Sequence, residues 1–250
     1  MSDLFSEQYS RLLESLPAAD PWPTLVESGF LDLLRSDAEG GAGAGLEDLF
    51  SLALATGRRA GAPRVIETML ARLVSAEAAD VADPQAALAA GGVATDRAKA
   101  LAAAAAAAQM VGAMERVLEL VLDYANTRKQ FGREIGRFQA VQHQIAVAAE
   151  EVMAARMAVQ LAMRGRPLDI SPLAAGVAKA RAGQAARQVG PIGHAVLGAI
   201  GISQEHELHR YTGALQRLRL SHGGESWWMR QIGDRAIASG DDFVTLARSV

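Results

Sequence analysis

Cysteine is absent from the 250 residues, which excludes disulfides and thiolate metal centres and makes a reducing cytoplasm the expected home. Aromatic residues supply only 5 % of the chain. Alanine and leucine dominate instead, and that balance favours helix over sheet. Charge of one sign is not in excess: the net charge of −3 gives no global field toward nucleic acid or an anionic membrane. Long apolar runs are missing too. The longest, Ala100-Leu101 to Ala108, falls far short of the ~20 residues that span a bilayer. Met1 to Glu7 lacks the basic start and apolar stretch of a signal peptide. What is present is ordinary for a globular chain, with 50 % hydrophobic and 21 % charged residues, enough for a sizeable core.

Helical periodicity runs through most of the sequence. Apolar residues over 4–16 predict a short amphipathic helix, ended by Pro17 and Pro21, and those over 22–36 predict a second. The glycine-rich stretch Gly40 to Gly45 reads as a loop, and further helices are expected from Leu46 to Ala55 and from Pro63 to about Glu77. Residues 76–94 show no strand alternation and are far too few for a β-domain. From about Asp96 to Thr127 the pattern predicts one helix of roughly 48 Å at ~1.5 Å per residue. Others are predicted over Phe138–Arg164, Pro172 to about Gln188, Glu205–Arg217 and Trp227–Leu246, with Gly190, Gly193, Gly198 and Gly201 breaking the chain between the second and third of these. The expected fold is all-α: an N-terminal helical domain over 1–75, a linker over 76–94, and an up-down helical bundle over 95–250.

Chemistry concentrates in Tyr124-Ala-Asn-Thr-Arg128-Lys-Gln-Phe131-Gly132-Arg-Glu-Ile-Gly136-Arg-Phe-Gln139-Ala-Val-Gln-His143. Arg128 and Phe131 are three apart, so on a helix they share a face. A guanidinium suits a pyrophosphate and a phenyl ring suits an apolar ring system, although Arg128 and Lys129 equally suit the negative end of a helix. This segment resembles the flavin-contacting segment of the acyl-CoA dehydrogenase family. A second block, from His194 through Gly198 and Gly201 to His209, resembles the family's glycine turn and following helix, with Ala195 where the family usually has glutamine. Trp22 to Leu34 followed by Gly40-Gly41 resembles its first helical domain. The resemblance implies FAD as cofactor, contacted by Arg128, Phe131, Gln139, Gly198 and Gly201. His206 and His209 sit at possible metal spacing but lack further ligands, so no metal is expected. Trp227 and Trp228 read as packing residues.

Two family features are missing from the sequence. The β-domain of roughly one hundred residues that relatives carry in the middle has no counterpart between the two pieces. The base glutamate, usually found in a turn before the last helix, has none in register: His222 falls nearest that position, Glu225 lies three residues later, and the alternative position in the first long helix holds Ala102 or a neighbouring alanine. In the family, FAD lies across a subunit boundary, with base and β-domain on one side and the arginine, phenylalanine and glycine turn on the other. The resemblance therefore implies a subunit of a hetero-oligomeric acyl-CoA dehydrogenase, similar to bacterial steroid- and acyl-degrading enzymes, that completes the FAD site of a β-domain-bearing partner. A self-sufficient homo-oligomeric flavin oxidoreductase with a displaced base such as Glu225, or a non-catalytic assembly subunit, are the alternatives.

Overall fold

The computed structural model describes residues 2–17, 19–59, 61–62, 64–74, 96–165 and 167–248. Helices make up nearly all the secondary structure among them: α1 (Ser2–Ser15), α2 (Trp22–Glu27), α3 (Leu46–Gly57), α4 (Val65–Val74), α5 (Asp96–Thr127), α6 (Gln139–Ala162), α7 (Pro172–Leu197), α8 (Leu208–Leu220), α9 (Glu225–Ser239) and α10 (Phe243–Arg248). Among the described residues the strands are two dipeptides, β1 (Lys129–Gln130) and β2 (Arg133–Glu134), paired as a hairpin between α5 and α6. The fold is all-α and carries no β-domain among the described residues. The expected linker over 76–94 lies outside them.

Helix α5 is the hub, packing against α3, α6, α7 and α8, while α7 also packs on α6 and α9. Its unbroken run from Ala100 to Met114 is buried on every side. By length and composition α5 would also suit a bilayer, but its apolar window is mostly enclosed by the other helices, as a core helix's is. Small side chains let neighbours come close. A Cβ on Gly57 would stand 1.9 Å from the Gln109 carbonyl oxygen, and one on Gly112 would stand 2.0 Å from that of Leu54. The backbones of α3 and α5 thus touch reciprocally, in a crossing that no larger residue fits.

Three helices differ from expectation, and the one over 227–246 is split, because Gly240 turns left-handed (φ 67°) after Ser239 and α10 starts only at Phe243. The helix over 22–36 stops at Glu27, because Ser28 Oγ donates to the Leu25 carbonyl and Gly29 turns left-handed (φ 73°). Two 3₁₀ turns follow, Phe30–Asp32 and Asp37–Glu39, and still bury Leu31, Leu33 and Leu34. In contrast, Gly190 and Gly193 do not break α7, which continues through Pro191 to Leu197. A helix tolerates the lost donor of Pro191 because tertiary packing holds the segment: Gly193 lies against Val117 and Leu208, where a Cβ would meet methyl carbons at 3.1 and 3.2 Å.

An ionic lattice clamps the same helices. Arg58, which caps α3, meets Glu115 at 2.9 Å and Glu119 at 2.5 Å on α5. Arg116 bridges Glu119 at 3.2 Å and Glu207, the cap of α8, at 2.7 Å, and Arg156 of α6 joins Glu115. Burial pushes the Glu119 carboxyl up, but hydrogen bonds from Arg58 and Arg116 outweigh it and hold the group below its ordinary range.

Gly112→Ala is expected to destabilise the chain by about 2–3 kcal/mol in chemical denaturation, because a methyl group must push apart a pair of backbones in a packed core. Gly233→Ala, in an open position on α9, is the control that leaves stability unchanged or slightly raised.

Candidate functional site

Arg128 and Phe131 do not share a helical face. Helix α5 ends at Thr127, Arg128 receives the Ile135 N–H on its carbonyl, and Lys129 and Gln130 pair with Glu134 and Arg133. Phe131 and Gly132 both turn left-handed (φ 51° and 80°), which closes a two-residue hairpin of the mirror-image type. The expected helix cap at Gly132 is therefore the second central residue of a β-turn. The strain of a left-handed phenylalanine is held by the hairpin, and its product is a ring that is 91 % exposed.

Around that ring the hairpin gathers charge and a second aromatic. Phe131 meets Phe138 edge-on at 6.1 Å, and the Arg133 guanidinium lies 4.3 Å above the Phe138 ring. Arg137 and Lys129 flank Glu134 at 2.7 and 3.9 Å. The Glu134 carboxyl is held below its usual range, first by a hydrogen bond from its own backbone amide and then by Arg137. Arg128 is exposed and has no carboxylate within ion-pair distance among the described residues. Gln139 is the exposed first residue of α6, one position past Phe138. The hairpin thus presents an exposed ring beside a cluster of cations, a surface that fits an anionic ligand with a flat aromatic group.

The glycine turn is split in role. Gly198 adopts φ 65° and ψ −141°, a conformation open essentially to glycine alone, and no atom lies within 4 Å of where its Cβ would be. A ligand can reach its backbone. Gly201 faces inward, where a Cβ would stand 2.9 Å from Leu208 and 3.0 Å from Leu197, so internal packing accounts for that glycine. The two segments end at one pole of the bundle. Ala103 clusters with Ala180, and Val117 packs on Gly193, so α5 and α7 run in the same direction and carry the hairpin and the turn at their shared C-terminal end. No hydrogen bond or ion pair among the described residues joins them to each other.

The turn that would carry a base is locked by side chains the sequence did not single out. Lys179 of α7 is 1 % exposed and donates to the carbonyls of Arg219 at 2.9 Å and Gly223 at 3.0 Å. Desolvation lowers its pKa to about 8. Arg219 Nε bonds Glu225 Oε1 at 2.7 Å, and Glu225 lies over Gly183 of α7. Burial raises the Glu225 pKa, but the Arg219 bond outweighs it and keeps the carboxyl ionised and held. That arrangement makes Glu225 a structural ion pair at the start of α9. His222 is left-handed (φ 53°), its carbonyl accepts from Trp228 Nε1 at 3.0 Å, and burial followed by Lys179 lowers its pKa, so the ring is neutral near pH 7. Trp228 is buried as a packing residue while Trp227 is half exposed. His206 Nδ1 accepts the Leu208 N–H, His209 Nδ1 donates to the His206 carbonyl, and no metal-binding cluster occurs among the described residues.

The profile of the acyl-CoA dehydrogenase C-terminal domain matches residues 92–237. The chain belongs to the acyl-CoA dehydrogenase family. It is 38 % identical over 105 residues to acyl-CoA dehydrogenase IpdE2 of Mycobacterium tuberculosis, covering 42 % of this chain and 32 % of that one. It is 35 % identical over 135 residues to acyl-CoA dehydrogenase FadE27 of the same organism, covering 49 % and 35 %. The chain thus spans about a third of the length of these curated relatives. Among solved structures, a chain of the ChsE4–ChsE5 complex from Mycobacterium tuberculosis superposes with a TM-score of 0.76 at 18 % identity, covering 95 % of this chain and 97 % of that chain. A chain of the Tcur3481–Tcur3483 steroid acyl-CoA dehydrogenase, G363A variant, does so with 0.78 at 20 %, covering 95 % and 98 %. These likenesses show the fold.

Lys179 makes stability depend on pH in the alkaline range. Its pKa is lower folded than unfolded, so between about 8 and the ordinary lysine value the unfolded chain binds more protons and stability rises with pH. Below pH 8 both states are protonated and the penalty is fully present. Lys179→Met is expected to abolish this rise when its denaturation midpoint is compared with the parent's from pH 8 to pH 10.

Proposed function

We propose that this protein is a subunit of an FAD-dependent acyl-CoA dehydrogenase that completes the flavin site of a β-domain-bearing partner and supplies no base of its own. The observation that carries the reading is the hairpin: the exposed Phe131 ring and Arg128, which meets no carboxylate among the described residues, stand out from the bundle. They fit a dinucleotide, with Arg128 on the pyrophosphate, Phe131 against a ring system, Gln139 as a polar contact at the start of α6, and the open backbone of Gly198 at the same pole. A flavin held there would supply the hydride acceptor for the substrate's β carbon. Proton removal from the α carbon falls to the partner, because Glu225 is tied to Arg219, and α5 offers only buried alanine from Ala102 to Ala108.

Support for a partner comes also from the outer face of α6, where Met153, Met157 and Leu161 recur every fourth residue and are 61, 51 and 46 % exposed. The solved chains of like fold include members of two-protein complexes, the ChsE4–ChsE5 and Tcur3481–Tcur3483 assemblies. The acyl-CoA dehydrogenases among the relatives support an acyl-CoA thioester as the substrate class, and the second of those assemblies favours a steroid-derived acyl group. The self-sufficient enzyme is disfavoured by the fixed ion pair of Glu225.

Flavin absorbance separates the readings. The chain purified alone is expected to be colourless, and the complex with its β-domain-bearing partner yellow. Arg128→Ala is expected to weaken FAD retention by the complex about tenfold or more, the loss of one charge-assisted contact. A complex that assembles with this variant and keeps its full flavin would overturn the assignment.

A further inference from the structure

One side chain grips the glycine turn from within. Helix α7 ends at Leu197, a 3₁₀ turn runs from Gly198 to Ile202, and α8 starts at Leu208. His194, in the last turn of α7, meets this connection in three ways. Its carbonyl accepts the Gly198 N–H. Its ring lies against Gly201, whose Cβ position stands 3.6 Å from Nδ1. Its Nε2 reaches Thr212 Oγ1 on α8, 3.0 Å away and 18 residues later. Thr212 donates its own proton to the His209 carbonyl at 3.4 Å, so its hydroxyl oxygen accepts from Nε2.

The other ring nitrogen shows what the histidine contributes. Nδ1 is buried and has no hydrogen-bond partner among the described residues. A stranded buried nitrogen costs stability, and an apolar side chain in this place would strand nothing. Packing therefore does not account for a histidine here, whereas the bond to Thr212 does. That bond ties the chain together at the neck of the connection. The Arg116–Glu207 pair at 2.7 Å fixes the entry of α8 from outside, but it acts between α5 and α8 and does not touch α7. Outward from the neck, Ile200 and Ile202 are exposed and the Gly198 backbone is open.

We propose that His194 is a positioning residue for the flavin: by holding Thr212 it fixes α7 against α8, and so the place at which the Gly198 backbone meets the cofactor. The proposal rests on the reading that this turn contacts FAD in the complex. A contact that is already ordered before the ligand arrives loses less freedom on binding.

His194→Leu and Thr212→Val remove the bond with little change of shape, whereas His194→Gln keeps a donor near the Nε2 position and Thr212→Ser keeps the acceptor. The first readout is hydrogen exchange in the full chain alone, at the Gly198 and Ser203 amides that bond the His194 and Ile200 carbonyls. Exchange is expected to quicken in the Leu and Val variants and to stay at the parent's rate in the Gln and Ser variants. The second readout is FAD retention by the complex. The Leu and Val variants are each expected to weaken it about fivefold, the double variant no further, and the Gln and Ser variants less than about twofold. Unchanged exchange in both the Leu and Val variants overturns the proposal, even where a variant complex does not assemble. Additive losses in the double variant overturn it too. Full retention by both while Arg128→Ala loses flavin overturns it and leaves the flavin reading standing, and full retention by Arg128→Ala as well overturns both.

Discussion

The close approach of α3 and α5 is the constraint on which the remaining architecture rests. Two glycines, Gly57 and Gly112, put backbone against backbone, and the alanine run from Ala102 to Ala108 extends that low-relief surface along α5. Such a contact gains little from any one side chain. Its strength lies in the number of atoms brought to van der Waals distance and in the absence of voids. It also explains why α5 is buried on every side: a helix with no bulk can be surrounded closely by α3, α6, α7 and α8 at once.

Charge then fixes what small side chains leave free to slide. A smooth interface specifies distance better than register, whereas ion pairs specify position along the axis. Arg58 to Glu115 and Glu119 sets α3 against α5, and Arg116 to Glu207 sets α5 against the entry of α8. The second of these also anchors the chain just after the glycine turn. Lys179 performs a related task at the far turn, where a buried ammonium holds the carbonyls of Arg219 and Gly223 with the left-handed His222 between them. The cost of burying that charge is visible in its lowered pKa.

These clamps divide the molecule into a rigid body and a projecting element. Hairpin 129–134 is rooted by the Arg128–Ile135 backbone bond and by Gly136, whose Cβ position lies 3.0 Å from the Ala125 carbonyl. Its tip reaches outward. A rigid base lets an exposed element present its side chains with fixed geometry. The turn that would hold a base has the opposite character, with the charged groups of Arg219, Glu225 and Lys179 directed into this chain's own structure.

The sequence by itself determined the helical class, the approximate span of α5 and its end at Thr127, because periodicity, propensity and turn residues act over a few neighbours, and it carried the two segments that bear the family's pattern. It marked Arg128, Phe131, Gln139 and Gly198 but placed the first two on a helix, since the left-handed pair that makes the hairpin shows only one glycine in the sequence. It also read Gly190 and Gly193 as breaks, where they serve as contact points for other helices. Only the tertiary structure decided that Lys179 holds a turn 40 residues away, that Glu225 is committed to Arg219, that Gly201 faces inward, and that His194 reaches Thr212. Those outcomes depend on which helix faces meet. An isolated lysine or arginine in a helical pattern looks the same whether it ends in solvent, in the core or beside a ligand.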